Sequence, residues 1–125
     1  MAVLGVGTDI VSVSRIEQSW QRFGPKFAAQ ILHPNEVVEL AGKNNAAAYL
    51  AKRFAAKEAV GKALGTGLGE GVSASNIEVK NKENGAPTVQ LHGGAQKRLE
   101  ALGGSQCQLS ISDEKEYAVA FAIIS

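Results

Sequence analysis

The stretch Asn45–Leu64, NAAAYLAKRFAAKEAVGKAL, decides the architecture. It is rich in alanine, contains no proline and is built from good helix formers, so it predicts one long helix ending at Gly65. Along it Ala47, Leu50, Ala51 and Phe54 make an apolar stripe, and the next step of four lands on Glu58. A carboxylate therefore stands on the inward face. Lys62 follows four residues later on the same side. Arg53 and Lys57 form a second pair at that spacing and are expected on a rim rather than in the core.

Working outward toward the amino end, Ala2 to Val11 is short, apolar and spaced by glycine, with Gly5, Gly7 and Asp9 on one face. It reads as a buried strand. Ser12 or Ser14 can cap a helix carrying Ile16, Trp20 and Phe23, stopped by Gly24-Pro25. A short helix through Phe27 and Ile31 follows. His33-Pro34-Asn35-Glu36 opens another, with Val37, Val38 and Leu40 as its apolar side and Gly42 as its end.

Beyond the long helix, Gly65 to Ser73 reads as a flexible loop, and Ile77 and Val79 alternate with polar residues as in a strand. Asn84-Gly85 makes a turn into a return strand, Thr88 to Leu91. Gly93 to Leu102 is a short helix. Gln106 to Ser112 then pairs, across Asp113 to Glu116, with Tyr117 to Ile124. Strand, helices, two strands, helix, two strands implies an α+β fold, a mainly antiparallel sheet packed on helices, in a single domain over residues 1–125.

Composition narrows the function. A net charge of +1 argues against a general nucleic-acid binder. No apolar run approaches the ~20 residues of a membrane span, and no leader pattern opens the chain, so a cytoplasmic protein is expected. Cys107 has no partner for a disulfide or a cysteine metal site and reads as a buried small residue. Glycine patterns for dinucleotides and the phosphate loop are missing. His33 and His92 are isolated in sequence and receive no role.

Two carboxylates remain to be explained. Asp9 near the end of an apolar strand either caps the following helix or needs a cation. If Glu58 also faces inward, the two repel unless a hard cation such as magnesium lies between them. Lys62 fits either an ion pair with Glu58 or a contact to a substrate phosphate.

Three stretches, GVGTDIVSVSRIE from Gly5, RFAAKEAVGKALGTG from Arg53 and LSISDEKEYAVAFAI from Leu109, together resemble the short trimeric phosphopantetheinyl transferases, the holo-[acyl-carrier-protein] synthases. With the Asn84-Gly85-Ala86-Pro87 turn, the similarity spans essentially the whole chain in order. It implies transfer of 4′-phosphopantetheine from coenzyme A to a serine of apo acyl carrier protein. It implies magnesium on Asp9 and Glu58, and coenzyme A phosphates at Lys62 with Arg53 as a helper. Adenine is implied near Asn84, Gly85 and Pro87, and the acidic carrier protein at Arg15 and Arg22. A homotrimer with sites between subunits is expected. Many relatives carry histidine where this chain has Asp113, which is left out of the expected site. The alternative is a non-catalytic domain that senses coenzyme A or another nucleotide.

Overall fold

The computed structural model describes residues 2–125. Strand β1 (Gly5–Ser12) leads into helices α1 (Val13–Phe23), α2 (Pro25–Ile31) and α3 (Pro34–Leu40). Helix α4 (Ala46–Ala63) is the spine. A hairpin of β2 (Ile77–Asn81) and β3 (Pro87–Leu91), helix α5 (Gly93–Ala101), β4 (Cys107–Asp113) and β5 (Tyr117–Ile124) complete the chain. One antiparallel sheet has the order β1-β5-β4 and a second consists of β2-β3, so the expected α+β class holds.

Small residues explain how α4 meets the larger sheet. A Cβ on Gly5 would lie 1.9 Å from the Ala63 carbonyl oxygen, and one on Gly7 would lie 2.0 Å from that of Ala59. Only glycine lets β1 approach the helix backbone this closely. Register continues the theme: Gly7 opposes Ala122 and Asp9 opposes Ala120 on β5, and Ala118, Ala120 and Ala122 are buried beneath α4.

Several local expectations need correction. β1 is buried on one face only, because Val6 and Ile10 are 57% and 64% exposed. Val37 and Val38 face outward, whereas Glu36 and Leu40 turn inward. Phe23 is exposed, and Ser12 occupies the N-cap of α1 without a side-chain capping bond. Arg53 and Lys57 are not on a rim: both are buried.

Burial of Lys57 is possible because its ammonium is saturated. Nζ donates to Glu36 Oε1 at 2.6 Å and to the carbonyls of Ala74 and Ile77 at 2.9 and 2.7 Å. Glu36 in turn accepts from the His33 and Val79 amides. Desolvation lowers the Lys57 pKa, and the Glu36 charge opposes that shift. The Gly65–Ser73 loop is tied to the spine by Gly67 N donating to Gly61 O, and it buries Val72.

A candidate two-carboxylate site

Because Gly7 brings β1 onto α4, Asp9 comes to lie beside the helix face that carries Glu58 and Lys62. Lys62 Nζ donates to Asp9 Oδ1 at 3.1 Å and to the Thr8 carbonyl at 2.9 Å. The lysine therefore pairs with the strand carboxylate rather than with Glu58. No hydrogen bond from a backbone amide reaches Asp9 among the described residues, so its side chain does not cap α1.

Glu58 makes no hydrogen bond or ion pair among the described residues. Its carboxyl is pushed above the usual range by burial first and then by the Asp9 charge, with Lys62 acting the other way. Two carboxylates thus face one ammonium that pairs only with Asp9, and half of that lysine is open to solvent. Free oxygens on two acids with a deficit of positive charge fit a hard divalent cation. Water and substrate oxygens would have to complete a magnesium coordination shell, as is usual for that ion.

Arg53 opens onto a different place. A cavity of about 210 Å³ is lined by Glu39, Lys43, Lys52, Arg53, Gly85 and Pro87, among others. Arg53 Nη2 donates to Glu39 Oε1 at 3.0 Å and Asn81 Oδ1 at 2.8 Å, and the guanidinium lies over the Tyr49 ring at 4.8 Å. Gly85 turns the hairpin with φ of 90°. Asn84 Oδ1 accepts from the Ala86 amide, so this side chain stabilises the turn rather than lining the cavity. Asp113 also borders the cavity.

Arg15 and Arg22 stand exposed on α1, seven residues and so nearly two turns apart on one face. Lys26 is exposed at the start of α2. Cys107 is half-buried, and burial pushes its thiol up to about 12, which leaves it unreactive.

Sequence reasoning missed a second cluster. His33 and His92, distant in sequence, are stacked with ring centroids 4.7 Å apart beside buried Glu78. Burial pushes the Glu78 carboxyl up, but hydrogen bonds from Asn35 and His92 and the charges around it hold it below its ordinary value. An ionised carboxylate only accepts, so His92 Nε2 donates to it at 2.9 Å. His33 Nδ1 accepts from the Asn35 amide, which leaves the ring proton on the nitrogen facing Glu78. The arrangement is a hydrogen-bonded clasp between the starts of α3 and α5. Its imidazoles do not suit magnesium.

Residues 5–122 match the 4′-phosphopantetheinyl transferase superfamily. The chain is 54% identical to the holo-[acyl-carrier-protein] synthase of Shewanella amazonensis, with 99% of both chains covered. It superposes on the crystal structure of the Neisseria meningitidis synthase with a TM-score of 0.93 at 42% identity, again over 99% of each chain. The Helicobacter pylori synthase, solved in complex with coenzyme A, gives a TM-score of 0.84 at 32% identity, covering 96% of this chain and 99% of the other.

Proposed function

The chain belongs to the 4′-phosphopantetheinyl transferase superfamily, and from that membership we propose how its own residues carry out the reaction. It is a holo-[acyl-carrier-protein] synthase, moving 4′-phosphopantetheine from coenzyme A to a serine hydroxyl of apo acyl carrier protein and releasing adenosine 3′,5′-bisphosphate.

The observation that carries the assignment of residues is the pair of carboxylates Asp9 and Glu58, of which Asp9 alone is paired with the ammonium of Lys62. Asp9 and Glu58 would hold magnesium, which, when bound, supplies positive charge to the coenzyme's pyrophosphate. Lys62 neutralises a further phosphate oxygen, and its half exposure leaves it free to leave Asp9 for the substrate. The serine oxygen attacks the phosphorus on the pantetheine side. The bond from that phosphorus to the bridging oxygen breaks, and the bisphosphate keeps the oxygen. Glu58, through a bridging water, is our choice to take the serine proton, a role worth about 10²- to 10⁴-fold in rate.

Arg53, with Lys43 and Lys52 at the cavity mouth, is assigned to the phosphate at the nucleotide end of coenzyme A, with Gly85 and Pro87 beside the adenine. Asn84 serves there through the turn it braces. Arg15 and Arg22 offer exposed positive charge to an acidic carrier protein.

The homotrimer is supported by the outer face of the larger sheet. There Val6, Ile10, Tyr117, Val119 and Phe121 stand exposed on the two paired strands β1 and β5, an apolar surface of the kind that subunits cover. No helix among the described residues is long and apolar enough to cross a membrane. The cytoplasm is the expected compartment, where a lone thiol such as Cys107 stays reduced.

The test is mass spectrometry of apo acyl carrier protein incubated with the protein, coenzyme A and magnesium. A phosphopantetheine gain should appear and should vanish with a chelator and in Asp9→Ala and Glu58→Ala. Coenzyme A binding with no gain on any carrier protein would instead indicate a nucleotide sensor.

A further inference from the structure

Arg53 is an unusual ligand for a phosphate because the folded chain already provides it with an anion. Its side chain is only 4% exposed and is fixed from three directions: the Tyr49 ring beneath it, Asn81 Oδ1 on Nη2, and Glu36 Oε2 at 3.4 Å from Nε. Buried Nε nonetheless has no hydrogen-bond partner among the described residues. The remaining partner is Glu39, at 3.0 Å from Nη2. Glu39 alone among these neighbours is mobile in principle: its side chain is 43% exposed and sits at the cavity mouth near the end of α3, whereas Glu36 is 2% exposed.

A carboxylate presents to a guanidinium the same acceptor edge as a phosphate. We infer that Glu39 is an intramolecular stand-in that occupies the phosphate position on Arg53 and must swing into solvent when coenzyme A binds. This inference rests on the assignment of Arg53 given above. Glu39 then sets the affinity of the site for the nucleotide end, weakening both coenzyme A and the released bisphosphate and so favouring product release.

Helix geometry identifies which phosphate competes. Arg53 lies five residues before Glu58 on α4, about 7.5 Å along the axis and about 140° around it. Within one chain the two faces are therefore separate binding places. The competing group on this reading is the phosphate monoester on the ribose, the group that dephospho-coenzyme A lacks.

The second acid of the cavity, Asp113, makes no hydrogen bond or ion pair with Arg53 among the described residues, yet lines the same space. It provides a control for charge without contact. The experiment is calorimetric titration of adenosine 3′,5′-bisphosphate into wild type, Glu39→Gln, Asp113→Asn and Arg53→Lys, with steady-state KM and kcat for coenzyme A and for dephospho-coenzyme A. Melting temperatures of all variants are recorded alongside.

Glu39→Gln should tighten the bisphosphate and lower KM for coenzyme A by about two- to fivefold, the scale of a partly exposed ion pair. The gain should disappear with dephospho-coenzyme A, and Asp113→Asn should give less. Weaker binding in Glu39→Gln would mean that Glu39 orients Arg53 for the phosphate, and it would overturn the inference. Equal gains in Glu39→Gln and Asp113→Asn would overturn it too, since only the general field would then matter. Bisphosphate binding indifferent to Arg53→Lys in a folded variant would remove the assignment of Arg53 itself.

Discussion

Replacing Gly7 by alanine tests whether backbone contact between β1 and α4 sets the site. The new Cβ would stand 2.0 Å from Ala59 O and 2.7 Å from Ala63 N, both backbone atoms of a long helix. Ordinary contact begins at 3.4 Å, so strand and helix must separate by about 1.4 Å. Overpacking of this kind costs about 1–3 kcal/mol, and a gap of that width forfeits much of the dispersion contact along the seam. A total near 3 kcal/mol lowers Tm by roughly 10 °C in a chain of this size. Asp9 lies two residues from Gly7 on the same strand face, and Glu58 precedes the opposing Ala59. The carboxylates therefore part by a comparable amount, and a displacement near 1 Å can cost about 100-fold in rate. Calorimetry and the carrier-protein mass assay, run on Gly7→Ala and on the unobstructed Gly42→Ala, read the two effects separately. A Gly7→Ala protein that keeps Tm within about 2 °C and activity within about threefold of wild type would refute the close-approach account.

Glu58 yields a prediction in pH. Burial and the Asp9 charge raise its folded pKa above the ordinary carboxylate value, so the folded state holds its proton more tightly than the unfolded chain. The associated stability is present below the unfolded value and is lost as pH rises through the folded one. In chelator at neutral pH, Glu58→Gln should therefore match or exceed wild type in stability by up to about 1 kcal/mol after allowance for its exposure, with the advantage fading toward pH 4. Magnesium should raise the Tm of wild type but not of the variant. Lys57→Met leaves Glu36 buried with only Arg53 as counter-charge, and urea unfolding should show a loss of about 3–5 kcal/mol, partly recovered by adding Glu36→Gln. If the proposed homotrimer uses the β1-β5 face, Phe121→Glu should sediment as a smaller species than wild type while circular dichroism stays unchanged.

The elements themselves were legible because each is punctuated by a residue with a local physical role: Pro25 and Pro34 at helix starts, Asn45 as a side-chain cap, Gly85 at the hairpin. Asp9 and Glu58 were legible as well, since a carboxylate on an apolar face is a local anomaly. What local pattern did not reveal were the partners supplied from far along the chain. Lys57 reads as a surface lysine until Glu36, twenty-one residues earlier, and two carbonyls beyond Val72 are seen to enclose it. His33 and His92 meet only because α3 and α5 both begin beside β2. Glu36 carried a usable signal as the third residue of a capping box opened by His33.

Helix α4 carries two ionic systems without interference because their residues stand on opposite sides. Lys57 follows Arg53 by four residues and Lys62 follows Glu58 by four, so each pair is about 40° apart, while the two pairs are offset by about 140°. Arg53 and Lys57 turn toward Glu36 and the small hairpin, and Glu58 and Lys62 turn toward β1. Ala55, Ala56, Ala59 and Gly61 are among the intervening residues, and on the β1 side the strand packs against the helix at backbone distance. A coenzyme whose charge is divided between a pyrophosphate and a distant ribose phosphate therefore meets the two faces of this helix as separate problems. One chain cannot easily wrap such a ligand around its own buried spine. A homotrimer joined through the apolar β1-β5 face, as proposed above, would let two copies divide those contacts between them.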